Sequence, residues 1–292
     1  MGMWKARMER CKVDVVICTK DRYGFLVNCV DKVRRFVPVN NLIIVDSTEK
    51  PNIGVLEGLG AKLFFTPNVK VGYARQVGLK EASTRYVLCI DDDVTLTPNC
   101  FSPMVKSLED LDVLGVSGRV VYGWKTDKIL FKLFSRSPSR HGGSGGFVLF
   151  KTKEVLALGG YNKNMHWGED LELCQRIENR GFRWVRSKEA IGFHPLTFKE
   201  YLDRAKKHGR SMRGVWESGT SSLFRLMSRF YVRFLVMPLY YAFSSLDPRV
   251  FGYYSLFTFI YLVSFLTGSE FKLHGDVENK NEKPNSARNF GV

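Results

Sequence analysis

The chain has 292 residues, 45% hydrophobic and 25% charged, which excludes wholesale disorder and allows one large domain or two modest ones. Its 44 basic residues against 29 acidic ones leave a formal net charge of +15, which predicts an acidic partner. Charge alone does not choose among nucleic acid, anionic lipid and a phosphorylated small molecule. Six scattered cysteines without a C-x-x-C pair exclude zinc-ribbon and thioredoxin-like arrangements and suit a reducing compartment.

In chain order, a basic tail (Lys5, Arg7, Arg10, Lys12) precedes Val13–Cys18, an apolar run too short for a signal peptide and interrupted by Asp14. The expectation is a catalytic part that stays in the cytoplasm. Val13–Cys18 reads as a buried strand, and Gly24–Val37 as a helix with Leu26, Val30, Val33 and Val37 on one face. Leu42–Val45 and Lys62–Phe65 are further strands, Gly72–Ala82 is helix-compatible, and Tyr86–Ile90 is a strand ending in Asp91-Asp92-Asp93. Cys18 and Cys89 fall inside these runs as small hydrophobes. The alternation predicts an α/β fold, a mostly parallel sheet with helices on both faces. In such sheets ligands bind beyond the carboxyl ends of the strands, at Thr19–Arg22, Asp46-Ser47 and Asp91–Asp93.

From 113 to 195 the pattern is less regular. Val113–Gly118 and Phe147–Phe150 read as strands, separated by a basic stretch and by glycines 142, 143, 145 and 146. Glu169–Arg180 reads as a helix stopped by Gly181. Residues 199–233 then carry nine basic residues against three acidic ones. Two apolar stretches follow, 234–246 and 250–268; the second runs nineteen residues without a charge, about the length that spans a bilayer. Basic residues before them and tyrosines around them predict anionic lipid at a cytoplasmic membrane face; the alternative is a pair of buried core helices. Asp247-Pro248-Arg249 would turn between the two, and the tail after Phe271 is polar.

Three consecutive carboxylates after a strand are the strongest local signal. Side chains alternate across a strand, so Asp91 and Asp93 are expected to point one way and Asp92 the other, and a hard cation such as Mg²⁺ or Mn²⁺ would relieve the repulsion between unpaired carboxylates side by side. The alternative is a solvated turn leading into Pro98.

These runs, in this order, resemble the family 2 glycosyltransferases of the GT-A fold. The likeness is carried by Val15–Arg22, Leu42–Asp46, Gly72-x-Ala74-Arg75-Gln76-x-Gly78 and Asp91-x-Asp93. It continues through Gly159-Gly160-Tyr161, Gly168-Glu169-Asp170-Leu171-Glu172-Leu173-x-x-Arg176, Gly181 and His194, and covers roughly residues 13–195. It implies an inverting, metal-dependent transfer from a UDP- or GDP-linked sugar to a lipid-linked or glycan acceptor. The implied halves are 13–115 for the nucleotide sugar and 116–198 for the acceptor, flanked by the tail 1–12, a membrane-associated helical region 199–270 and the tail 271–292.

The resemblance assigns donor binding to Thr19, Asp46, Arg75, Asp91 and Asp92, with Asp46 at the base and Arg75 at the diphosphate. It makes Asp93 and Asp91 metal ligands, with His194 as a further ligand or else a core histidine. Asp170 is the implied general base, Glu169 a group that holds the acceptor, and Arg176 a structural partner for a carboxylate. Gly145, Gly146 and Trp167 are placed at the sugar or acceptor pocket. The bland alternatives are a turn-forming Asp46, a surface Arg75, a helix-capping Glu169-Asp170, a flexible glycine loop and a merely packed Trp167. A sugar-phosphate nucleotidyltransferase fits less well, because Thr19–Arg22 replaces the glycine-rich loop that should follow the first strand. A nucleic-acid partner is not expected, since no recognised module accompanies the basic segment.

Overall fold

A computed structural model describes residues 11–122, 145–165, 168–217 and 248–267, together with Ile129, Val236, Met237, Tyr240 and Phe243. The apolar runs of the first hundred residues form β1 (Val13–Thr19), β2 (Val39–Asp46), β3 (Lys62–Phe65) and β4 (Tyr86–Asp91). Between them lie α1 (Tyr23–Phe36), α2 (Ile53–Glu57) and α3 (Val71–Glu81). Next come β5 (Thr95–Leu96), α4 (Phe101–Ser107), β6 (Val113–Tyr122), β7 (Phe147–Lys151) and α5 (Thr152–Ala157). The chain continues through α6 (Glu169–Asn179), β8 (Arg183–His194), α7 (Phe198–Glu217) and α8 (Pro248–Thr267).

The strands make one eight-stranded sheet in the order β3-β2-β1-β4-β7-β6-β8-β5. The β3-β2-β1-β4 half is parallel, and β7 enters antiparallel to both β4 and β6. Period-two alternation divides each central strand between two cores. Val13, Val15 and Ile17 of β1 pack with Leu26, Cys29, Val30 and Val33 of α1 and with Phe101 and Met104 of α4. Val16 faces the other way, toward Ala74 and Leu79 of α3 and Leu173, Cys174 and Ile177 of α6. Helices therefore cover both faces, as the alternation predicts. On the second face α3 lies close to β1, because Gly78 has no Cβ; one built there would sit 2.3 Å from Val16 Cγ1.

Beyond the sheet, α7 and α8 pack against each other in a separate cluster of Tyr201, Leu202, Ala205 and Met212 with Val250, Ile260 and Tyr261. Their contacts advance together along both helices. The Tyr201 hydroxyl donates to the Tyr253 carbonyl at 3.1 Å, and Arg213 donates to the Leu266 carbonyl at 3.1 Å. The two helices therefore run in the same direction. Pro248 and Arg249 open α8 instead of lying in a turn, which suits proline, whose missing N–H is not needed at a helix start. The first apolar stretch lies largely outside the described residues, as do the tails.

Candidate active site

Parallel register sets the site's floor. Thr19 at the end of β1 is level with Asp46 at the end of β2, and Cys18 is level with Asp91 at the end of β4. All three polar residues therefore reach the same edge of the sheet, where the crossovers leave it. Here the Asp46 carboxylate is held twice. Its Oδ1 accepts from the Thr48 backbone N–H at 2.8 Å, and its Oδ2 accepts from the Tyr23 hydroxyl at 2.8 Å.

The acidic triplet departs from strand alternation. β4 stops at Asp91, and the chain turns, with Val94 N–H donating to the Asp91 carbonyl at 3.1 Å. Asp92 and Asp93 consequently lie on one side together and share Arg22, whose guanidinium is 3.2 Å from Asp92 Oδ1 and 2.5 Å from Asp93 Oδ2. Asp91 points elsewhere, to Arg75. The expected division of Asp91 and Asp93 against Asp92 is corrected for this reason: alternation holds only while the strand lasts. Thr19 Oγ1 donates to Asp92 Oδ2 at 2.7 Å. Burial pushes the Asp92 carboxyl up to about 7, against Arg22 and that hydrogen bond. For Asp93, burial acts in the same direction, but His194, Arg22 and Arg204 hold it well below the usual carboxylate range.

His194 reaches Asp93 through a pairing that no local pattern announces. The two-residue β5 follows the acidic turn and pairs with β8, Thr95 opposite Phe193. This brings the last residue of β8 beside the turn, with His194 Nε2 2.9 Å from Asp93 Oδ2. Arg204 of α7 closes the group from above, with Nη2 2.6 Å from the same imidazole nitrogen. Lys207 lies nearby; burial lowers its pKa, opposed by Asp203 and aided by Arg204, Arg22 and Arg210. Part of the basic segment thus faces the acidic site.

Arg75 joins the two halves of the sheet edge. Its buried guanidinium binds Asp91 Oδ1 at 2.5 Å and Glu169 Oε1 at 2.6 Å. Burial pushes Glu169 up to about 7, opposed by Arg75 and aided by Asp170. The helix-like motif around Arg75 has a clear local logic. Gly72 admits the 162–165 loop, since a Cβ there would lie 2.2 Å from the Asn162 carbonyl oxygen. Gln76 ties the same loop by accepting from the Tyr161 N–H at 2.6 Å. Arg176 pairs with Glu172 at 2.7 Å and donates to the Gly160 carbonyl at 2.8 Å, the structural role expected of it.

Glu169 and Asp170 open α6 after Gly168, whose φ is +80°. Asp170 Oδ2 accepts from the Gly145 N–H at 2.8 Å, and Oδ1 accepts from Leu171 N–H at 2.7 Å. Gly145 and Gly146 press against these acids and Arg75. A Cβ on Gly145 would be 2.2 Å from Arg75 Nη1 and 2.8 Å from Asp170 Cβ, and one on Gly146 would be 2.9 Å from Asp91 Oδ2. Trp167 and the preceding glycines 142 and 143 lie outside the described residues.

The donor set suits a hard divalent cation. Among the described residues no three acidic, histidine or cysteine side chains form an assembled cage, because Asp91 faces Arg75. Asp93 Oδ1, however, is buried without a hydrogen-bond partner, beside an imidazole and next to Asp92. A buried orphan carboxylate oxygen costs free energy unless something electropositive meets it.

The sequence matches the description Glycosyl transferase family 2 over residues 14–151 and Glycosyl transferase family group 2 over residues 86–268. The second match covers well over half of the chain and extends past the sheet into α8. This chain belongs to the family 2 glycosyltransferases.

Solved structures agree on the fold of this glycosyltransferase. The mannosyltransferase PcManGT of Pyrobaculum calidifontis, in complex with GDP-Man and Mn²⁺, superposes with a TM-score of 0.66 at 14% identity, covering 90% of this chain and 89% of that one. Glucosyl-3-phosphoglycerate synthase of Mycobacterium tuberculosis, with Mn²⁺, UDP and phosphoglyceric acid, gives a TM-score of 0.50 at 17% identity over 67% of this chain and 74% of the other. By sequence, the chain is 31% identical over 118 residues to mouse beta-1,4 N-acetylgalactosaminyltransferase 1, covering 38% of this chain and 22% of the relative. It thus spans about a fifth of that relative's length.

Sequence reasoning marked Thr19–Arg22 at the strand end without giving Arg22 a role, passed over Tyr23, and directed Arg204 and Lys207 to lipid. Arg22 and Tyr23 stood beside the first strand end, which was a usable signal. Nothing local marks Arg204, because its place depends on how α7 folds back.

Proposed function

We propose that this glycosyltransferase moves a hexose from a UDP- or GDP-linked sugar to an acceptor hydroxyl or lipid phosphate, with inversion, at the cytoplasmic face of a membrane. The observation that carries the reading is the Arg75 bridge, which joins Asp91 of the donor acids to Glu169 of the pair that opens α6. Donor-binding and acceptor-activating groups then belong to one site.

In this reading Asp46 accepts an N–H of the base, and Arg22, with Arg204 and Lys207, balances the diphosphate charge. Asp93 and His194, with Asp91, would hold Mn²⁺ or Mg²⁺. When bound, the ion supplies Lewis-acid charge for the departing nucleoside diphosphate. Asp170 takes the proton of an acceptor hydroxyl as its oxygen bonds to the anomeric carbon; the bond to the phosphate oxygen breaks, and its electron pair leaves with the diphosphate. Gly145 aims the Asp170 carboxylate through its N–H, and Glu169 orients the acceptor.

Membrane association is supported by α8, a 20-residue apolar helix of which only 28% of the most apolar window is buried. Phe251, Leu256, Phe259 and Leu266 are exposed along it, which disfavours the reading as a core helix.

The test is release of nucleoside diphosphate from a panel of nucleotide sugars with Mn²⁺, Mg²⁺ or chelator, and nucleotide binding under the same conditions. Asp93→Asn should abolish both metal-dependent signals. Metal-independent binding of every nucleotide, unchanged in Asp93→Asn, would sink the metal reading.

A further inference from the structure

The acid pair that follows β4 carries its own counter-ion. The side chains of Asp92 and Asp93 are each 5% exposed, whereas Arg22, which reaches them from the β1–α1 connection, is 38% exposed. The two acids depend on it unequally. Asp92 has another partner, because Thr19 donates to its Oδ2 at 2.7 Å while Arg22 meets Oδ1 at 3.2 Å. On Asp93, Arg22 and His194 both crowd onto Oδ2, at 2.5 and 2.9 Å. Its Oδ1 is buried without a hydrogen-bond partner among the described residues. One guanidinium charge is thus spread over two carboxylates and leaves an oxygen of the second unmet.

Arg22 is free to exchange without disturbing the fold. Its carbonyl accepts from the Phe25 and Leu26 N–H groups at 3.0 and 3.1 Å, so the start of α1 fixes its backbone and only the side chain has to move. The guanidinium already lies 5.2 Å from the centroid of the Phe25 ring, a contact that does not depend on the acids. A divalent cation arriving with Arg22 in place would add its charge where Arg22, Arg204 and Lys207 already gather. That repulsion favours the departure of Arg22, the most exposed route out of the site. A diphosphate beside the acids offers the departing guanidinium a bidentate acceptor.

We propose that Arg22 is the exchangeable counter-ion of the acid pair, holding Asp93 until a divalent cation takes its place and then pairing with the nucleoside diphosphate. Cation and diphosphate each remove an obstacle to the other, and by linkage the gain is the same in both directions. The proposal rests on the reading of Asp93 and His194 as groups that hold the metal.

The experiment measures binding of Mn²⁺ alone, followed by the electron paramagnetic resonance of the free ion, and binding of UDP and GDP at saturating Mn²⁺. The full chain is compared with Arg22→Gln, Arg22→Lys and Asp93→Asn. Arg22→Gln should bind Mn²⁺ alone about tenfold more tightly and the preferred nucleotide about tenfold more weakly, the worth of one hydrogen bond to a charged group in each case. Arg22→Lys, which keeps the charge without the fork, should fall between on both measures. A purely structural arginine would instead weaken both affinities when replaced. Mn²⁺ binding unchanged or weakened in Arg22→Gln would overturn the proposal, as would undiminished nucleotide binding in that variant. Mn²⁺ binding that is equal in Asp93→Asn and the unmodified protein would overturn the metal reading on which the proposal stands.

Discussion

Asp170 is the residue whose surroundings define its chemistry most closely. Its two oxygens accept from Gly145 and Leu171 N–H groups, so the carboxylate is aimed by backbone rather than by a mobile side chain. Its neighbour Glu169 is neutralised partly by Arg75, whereas Asp170 is met by the two backbone N–H groups. Asp170→Asn preserves shape and removes the basic oxygen. Nucleotide binding should survive within about twofold, while transfer falls by roughly 10²- to 10⁴-fold, the usual contribution of a general base. Single-turnover transfer beside a nucleotide titration separates the two; undiminished transfer would end the assignment.

At the scale of elements, the parallel half of the sheet is fastened at its far edge by a buried acid. Asp14 at the start of β1 accepts from Asn40 and Asn41 side chains and from the N–H groups of Asn41, Ser83 and Thr84. It thereby ties β1 to β2 and to the turn that enters β4. Burial alone would raise its pKa, but these donors hold it at about 2, below the ordinary 3.8. The sign follows from linkage: a depressed folded-state pKa stabilises fully above 3.8, and that share is lost as pH falls toward 2. Asp14→Ala should cost roughly 3 kcal/mol at neutral pH by stranding buried N–H groups, and the variant should lose less stability than the parent on acidification. Urea midpoints at neutral pH and near pH 2.5 test both statements; parallel pH profiles would remove Asp14 from the account.

For the whole molecule, the question is what the outer face of α8 meets. Phe251, Phe259 and Leu266 are 42%, 57% and 65% exposed, on a helix whose other face packs on the basic α7. Burying the exposed half of such side chains in lipid is worth roughly 1 kcal/mol each. Replacing all three with Ser in the full chain should therefore abolish co-sedimentation with vesicles rich in anionic lipid while nucleotide binding persists. Undiminished co-sedimentation would mean that α8 is not the membrane contact.

By itself, the sequence determined the longer strands and helices of the first hundred residues, because burial on a sheet with two covered faces writes its period into the chain. Gly24–Val37 became Tyr23–Phe36, and Tyr86–Ile90 became Tyr86–Asp91, shifts of a residue. The ordered acids and glycines also identified the family and the edge of the sheet where chemistry should occur. Short elements escaped, among them β5 and α4, since two to seven residues carry too few periods to read. Only the tertiary structure decided which charges meet. Arg75 bridging Asp91 to Glu169, Arg22 gathering Asp92 with Asp93, and Tyr23 fixing Asp46 all join residues on different crossovers. Their meeting follows from strand register and from where β4 ends, and those are properties of the assembled sheet rather than of any local run.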